Sequence, residues 1–583
     1  MRILFPVLLF LVGCFRGSAM AQVSEEAAVL LDTLFAQIER FEALPQDSLG
    51  RGVHPPARWA SVSDSAQRAR ADTLAGFAAR LAAIDTSGLS RQERISRAVM
   101  AMNLADAIDR VRFRMHLIPV DAEGGFYNRL AYVLPRLPFA SADDYADYFA
   151  WLPAYAGHLR ENVALMRRGL AEGIVAPRVV VDNTIELLGP WAVDGAEDSP
   201  LYEPLQRMPK SLGEPERAEL RRAARAAIGE VNAAYGQLAE FLRAEYAPAA
   251  PERPGVGSLP GGTAYYANRV RHYTTLPLSA DSVHQLGLAE VARIRAAMDS
   301  VRAVTGYAGE LADFIEFLRI DAQFYASTPE QLLERAAWIA KRAEGQLPGL
   351  FAELPSLPFT VAPVPASIAP TYTAGRYVGG SWEQQRPGTY WVNTHDLPSR
   401  PLYNLPALTL HEAVPGHHLQ IALAAQLEGL PKFRRRTYIS AYGEGWGLYS
   451  EYLGEEMGMY TTPYELFGRY TYEMWRACRL VLDTGIHAMG WSRQRAIDYL
   501  AANTALSLRE IRTEIDRYIG WPGQALSYKV GELEIKRLRR EAEGKLGEDF
   551  DLREFHRVVL ASGSVPLTVL RAEVGAWVAR NGR

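Results

Sequence analysis

Three of the chain's 11 histidines fall within eight residues, His411-Glu412-Ala413-Val414-Pro415-Gly416-His417-His418, beside a glutamate and around a Pro-Gly pair. Single histidines on a helix surface are common and mean little, whereas this density next to a carboxylate suits metal-assisted hydrolysis. That chemistry needs two or three neutral or anionic ligands on one metal, an open position for water, and a carboxylate that takes the water's proton without being a ligand. The familiar solution is HExxH on a helix, with histidines at i and i+4 and the glutamate at i+1 as general base. His411 and Glu412 fit its opening, but the i+4 position is Pro415.

Pro415 cannot donate to the carbonyl of His411 and its ring clashes with that carbonyl, so a regular helix cannot run through this point. On an unbroken helix His411 and His418 would stand about 10.5 Å apart along the axis, too far to share one ion. An irregularity that absorbs two residues brings His417 to the second ligand position, and one that absorbs three brings His418 there. His417 needs the smaller distortion and is the expected ligand, with His418 the alternative. A third ligand is expected from the stretch Ala441 to Glu451, AYGEGWGLYSE, where Glu444 and Glu451 lie seven apart on one helical face. Glycines at 443, 445 and 447 permit close approach to the turn that carries Glu444. Glu444 is therefore the expected metal ligand, and Glu451 the expected partner behind a ligand. Donors to a developing oxyanion are sought downstream. His487, in DTGIH, and Tyr528, in YIGWPGQALSYK, are the candidates, while Asp483 and Lys529 read as ion-pair partners.

These residues must be positioned by a mainly helical chain. Apolar residues recur at three- and four-residue spacing in Ala27 to Phe41, Leu74 to Ile84, Ile95 to Val111 and Ala218 to Leu242. The Pro- and Gly-rich stretch Pro248 to Gly262 punctuates the pattern, which divides the chain softly into an N-terminal helical region, 22–250, and a metal-binding region, 251–583. Helix resumes after Ser279, a capping residue before the amphipathic run Val283 to Val304. Phe359 to Pro365 and Gly388 to Asn393 are short, rich in β-branched and aromatic residues, and read as strands of a small sheet beside the metal-site helix. The second of these is expected to pair edge-on with an extended peptide. After Tyr403 the chain reads as helical almost to its end, with a turn at Gly520-Trp521-Pro522-Gly523.

The 583 residues, 48% hydrophobic and 22% charged, are ordinary globular material, and a net charge of −4 without a basic stripe argues against nucleic acid. Arg2, the apolar run Ile3 to Val12 and small residues after it read as an export signal, too short to span a bilayer. Cleavage after Ala21, giving a signal peptide 1–21, competes with a lipobox ending at Cys14, which would tether the protein by a lipid. Cleavage after Ala21 leaves Cys478 as the single cysteine, so no internal disulfide is expected in an oxidising compartment. The expected location is the periplasm, free or lipid-anchored.

The segments HEAVPGHHLQ from His411, GEGWGLYSE from Gly443, LDTGIH from Leu482, WPGQALSYK from Trp521 and GLAEVARI from Gly287 resemble the bacterial family named domain of unknown function 885, treated as zinc peptidases. The resemblance implies a largely α-helical peptidase-like fold and an HExxH-like zinc site completed by a later glutamate, the gluzincin arrangement. Looser similarity to carboxypeptidase Taq, thimet oligopeptidase and angiotensin-converting enzyme implies a deep channel whose substrate-binding His and Tyr would be His487 and Tyr528. The expected function is an exported metallopeptidase cleaving short peptides with Zn²⁺ on His411, His417 and Glu444 and Glu412 as base. Manganese and iron suit the same ligand types. An amidase of small non-peptide molecules and a non-catalytic exported binding protein are the competing readings, and nothing in the sequence indicates an oligomeric state.

Overall fold

The computed structural model describes residues 26–42, 59–121, 124–134, 137–366 and 368–582. The export signal, its cleavage site and Cys14 lie outside the described residues. Contacts divide the chain into two units. One comprises residues up to 90, 100–263 and 519–521, and the other 91–99, 264–518 and 522–583.

The first unit is helical. Its longest elements are α1 (Ala142–Glu172) and α2 (Glu214–Phe241), which pack on each other. Helix α1 starts where Ser141 accepts from the backbone of Asp144 and Asp144 reciprocates, and ends at Gly173, whose φ of 69° closes the last turn. Its buried stripe Tyr148, Leu152, Tyr155, Leu159, Val163 and Met166 follows the three- and four-residue spacing of one helix face.

The second unit carries the histidine cluster. Its framework is α3 (Ala280–Val304), α4 (Pro329–Leu350), a small sheet, and then α5 (Leu405–Glu412), α6 (His417–Ala425), α7 (Ser440–Glu456), α8 (Pro463–His487), α9 (Leu508–Gly520) and α10 (Ser527–Leu546). Ser279 caps α3 as its sequence suggests. The fold is mainly α with one small sheet, in agreement with the expectation. Helix α8 is the centre of the unit, packed along α3 and buried from Phe467 to His487 except at Tyr470. Glu473 of α8 is paired: Lys529 of α10, wholly inaccessible, donates to Glu473 and to Glu532, 2.7 and 2.5 Å away, and lies 3.1 Å from Glu290 of α3. Lys529 is the ion-pair partner its sequence context suggests. Asp483 is not, because its carboxylate accepts from the Tyr266 hydroxyl at 2.5 Å and from the backbone N–H of Gly523, and burial pushes its pKa up to about 7.

The sheet has three strands, β1 (Phe359–Pro363), β2 (Gly375–Val378) and β3 (Gly388–Val392), in the order β1-β3-β2. β1 runs parallel to β3, and β2 antiparallel to it with Tyr377 opposite Tyr390. This corrects the expectation that β3 is an edge: both of its sides are paired, so it cannot add a peptide strand. The strand on the α5 side is β2. At four residues between glycines it carries too little alternation to be read from sequence.

Candidate metal centre

Helix α5 ends at Glu412 and α6 begins at His417, so the chain does not bend a continuous helix around Pro415 but stops it and starts another. The four intervening residues include a cis peptide between Val414 and Pro415. The return path is tight. A Cβ on Gly416 would lie 1.9 Å from the carbonyl oxygen of His411, so only glycine lets the chain fold back onto the end of α5. The carbonyl of Pro415 accepts from the indole of Trp446 on α7 at 2.8 Å, which holds the loop against the helix that carries the glutamates.

The result brings His411, His417 and Glu444 together, one ligand atom from each lying within 4.8 Å of the others. The Nε2 atoms of both histidines stand 3.5 Å from Oε2 of Glu444, and the two imidazoles meet edge to face with centroids 4.7 Å apart. A tetrahedral zinc with bonds of about 2.0–2.1 Å separates its ligand atoms by roughly 3.3 Å, close to the 3.5 Å of both histidine–glutamate separations.

Each of the three side chains is aimed from behind. His411 donates Nδ1–H to Glu451 at 2.8 Å and His417 donates Nδ1–H to Gln420 at 3.3 Å, which turns both Nε2 atoms toward Glu444. Tyr438 donates to Oε1 of Glu444 at 2.7 Å and so turns Oε2 toward the histidines. The two glutamates seven apart on α7 thus straddle one imidazole, Glu444 at its Nε2 and Glu451 at its Nδ1. Room for that ring comes from Gly447, where a Cβ would lie 2.5 Å from Cε1 of His411. Gly445 serves α10 instead, its missing Cβ falling 2.5 Å from the backbone of Gly531, and Gly443 makes room for Tyr438. Burial disfavours a proton on His411, but Glu444 and Glu451 outweigh it and push its pKa up to about 10. The two glutamates make the surroundings of the imidazoles anionic. Glu412 is partly exposed, with Oε2 accepting from the backbone N–H of Tyr377 on β2 at 2.8 Å.

His418 leaves the cluster. Its ring packs on Phe359, with centroids 4.5 Å apart, bonds the Tyr377 hydroxyl at 3.0 Å, and is held neutral by burial that lowers its pKa to about 4. Tyr528 stands near the ligands, buried and within the electrostatic reach of Glu444. His487 does not: its buried ring donates Nε2–H to the carbonyl of Tyr518 and packs on Tyr266, so the expectation of a second oxyanion donor there is withdrawn. Four contributors escaped the sequence reading, namely Tyr377, Gln420, Tyr438 and Trp446. Gln420, three residues after His417 on a helix, carries the one usable signal, since that spacing places its amide beside the ring.

Substituting Gly447→Ala is expected to displace His411 and weaken zinc binding by about 10–100-fold, the usual cost of disturbing a ligand's support. Gly575→Ala is the control, because its Cβ meets nothing within 4 Å. Chelator competition on the two proteins checks this, and equal zinc affinity would show that the ring is not held as described.

The profile of a family described as "Bacterial protein of unknown function (DUF885)" matches residues 45–574. No curated protein matches the chain. Among solved structures, a "putative lipoprotein" from Colwellia psychrerythraea is 29% identical with a TM-score of 0.83, over 96% of this chain and 99% of that one. A "putative lipoprotein of unknown function" from Shewanella oneidensis, 18% identical over 94% and 99% of the two chains with a TM-score of 0.68, shares the fold.

Proposed function

Since this chain belongs to the bacterial family of unknown function DUF885, we propose from its site that it is a zinc-dependent hydrolase, a metallopeptidase acting on short peptides. The observation that carries the reading is the convergence of His411, His417 and Glu444, both histidine Nε2 atoms 3.5 Å from the glutamate, with Glu412, the carboxylate next in sequence to His411, outside the trio. Zinc held by those three residues would supply Lewis acidity and lower the pKa of water to about 7.

The chain's own residues do the rest. Glu412 is fixed through one oxygen by the Tyr377 N–H, so its other oxygen is free to take the proton of the attacking water and later deliver it to the leaving amine. Tyr528 donates to the oxygen on which negative charge develops. Glu451 and Gln420 keep the histidines in one tautomer throughout. No helix among the described residues is long and apolar enough to cross a membrane. Export, with either cleavage after Ala21 or a lipid on Cys14, fits the lipoprotein descriptions of the two structural relatives.

The test is a digest of short peptides and of acylated amino compounds by the zinc-loaded protein, with chelation and zinc restoration as controls. Peptides should be cleaved, cleavage should stop on chelation, and zinc should restore it. Turnover of acylated amines alone would transfer the chemistry to the amidase reading. Failure to take up stoichiometric zinc would sink the hydrolase reading and favour a binding protein.

A further inference from the structure

Tyr438 is 47% exposed, although its hydroxyl donates to Oε1 of Glu444 at 2.7 Å and its ring meets that of His417 edge to face with centroids 6.3 Å apart. An aromatic side chain this close to the converging trio and still open to solvent lies on the wall of the space that a substrate enters. The groups around it agree. Desolvation by the surrounding protein and the charge of Glu444 raise its pKa well above the usual phenol value, and Tyr528 and Glu412 add to the shift. Glu412, Glu444 and Tyr528, all used by the proposed reaction, are thus within its electrostatic reach. Gln524 donates to Oγ of Ser440 at 3.3 Å, which ties the residues after Tyr438 to the turn that leads into Tyr528.

The ring is fixed at its backbone and at its hydroxyl. Thr437 donates its N–H to the carbonyl of Phe433, and Ile439 donates its own to Oγ of Ser564, both at 2.8 Å. Further back, the buried Arg434 donates to the carbonyl of Ser562 at 2.5 Å and to Oγ of Ser96 at 2.9 Å. One side of the ring rests on the first turn of α7, where a Cβ on Gly443 would fall 2.5 Å from Cε2 of Tyr438. The bond to Glu444 sets the direction of the hydroxyl and with it the tilt of the ring. A tyrosine held in this way presents its remaining face at little further cost in conformational entropy, which makes it an effective contact surface.

We infer that the open face of Tyr438 is the contact surface for an apolar side chain, preferably an aromatic one, on a residue next to the scissile bond, which makes Tyr438 a specificity-determining residue. This rests on the peptidase reading for the kind of substrate. An aromatic side chain gains from ring-on-ring geometry as well as from the area removed from water. A cation also binds over such a ring, but Glu444 and Glu412 are offset by the dication that the site is proposed to hold, so little net charge is left to attract it. An acidic side chain gains nothing from the negative face of the ring.

The experiment measures, by calorimetry on the zinc-loaded Glu412→Gln protein, the binding of N-acetyl-Ala-Ala amide and of the same compound with Phe or Lys at its first or second residue. At least one Phe compound is expected to bind about tenfold tighter than the Ala compound, and neither Lys compound is expected to do so. The position of the favoured Phe tells which side of the scissile bond the ring contacts. Adding Tyr438→Phe removes the hydroxyl and keeps the ring, so zinc affinity should fall by about tenfold or more while the preference for Phe stays. Adding Tyr438→Ala removes both, and the preference should drop to about twofold. Tyr438→Gln, with a donor but no ring, takes its place if that protein does not load zinc, and the same drop is expected of it. A preference that survives loss of the ring overturns the inference, as does equal binding of the Phe and Ala compounds or tighter binding of a Lys compound. Wild-type hydrolysis of the same compounds judges the peptidase reading separately: ring-dependent preference without cleavage sinks that reading and leaves the contact surface standing, and cleavage without the preference does the reverse.

Discussion

The Glu412→Gln protein is expected to bind zinc as the wild type does and to hydrolyse peptides about 10²–10⁴ times more slowly, the usual contribution of a positioned general base. Glutamine has nearly the shape of glutamate, and its amide oxygen can keep accepting the Tyr377 N–H that now holds Oε2 at 2.8 Å. What then faces the water is an amide NH₂, which cannot accept a proton. Zinc should stay because the converging trio is His411, His417 and Glu444, and Glu412 is not among them. Metal analysis and kcat measured on one preparation decide the matter. Wild-type turnover in a zinc-loaded variant would remove the base from the mechanism, and joint loss of zinc and activity would recast Glu412 as a ligand.

Truncating the paired histidines one at a time separates two neighbours that composition treats alike. His417→Ala removes one of three ligands and is expected to lower zinc affinity by more than about 100-fold, beyond the range for loss of an outer partner. His418→Ala should keep the metal. Its cost falls on packing, because the ring fills space against Phe359 and pairs with the Tyr377 hydroxyl, and taking one partner from that buried hydroxyl costs about 1–3 kcal/mol. Zinc content together with thermal unfolding of the two variants checks both halves. Full zinc retention in His417→Ala would dismantle the centre as described, and loss of zinc in His418→Ala would exchange the two roles.

Much of this architecture is legible in local pattern. The run behind Ser279 becomes α3 with that serine as its cap, and the run from Ala218 becomes α2, because one-sided burial and capping act within a few residues of the chain. Strand β2 and the aromatic and amide groups around the histidine cluster were not legible, since Tyr377, Tyr438 and Trp446 take their places through partners that are distant or unmarked in sequence. The edge role expected of β3 failed for a related reason. A strand's own residues do not say whether one or both of its sides are paired, and β1 and β2 take both.

The segment HEAVPGHH by itself determined that a histidine and a carboxylate stand side by side at a helix end and that no regular helix continues past Pro415, because proline's missing N–H and its ring act on the preceding turn whatever surrounds them. It did not determine where the chain goes next. That was decided by the tertiary structure: Trp446 holds the Pro415 carbonyl, Gly416 folds against His411, and His417 turns inward while His418 turns to the sheet. The same holds for the glutamates of α7. Seven-residue spacing puts Glu444 and Glu451 on one face, but only the seating of the His411 ring over Gly447 gives Nε2 to one and Nδ1 to the other, since the ring arrives from a helix more than thirty residues earlier in the chain.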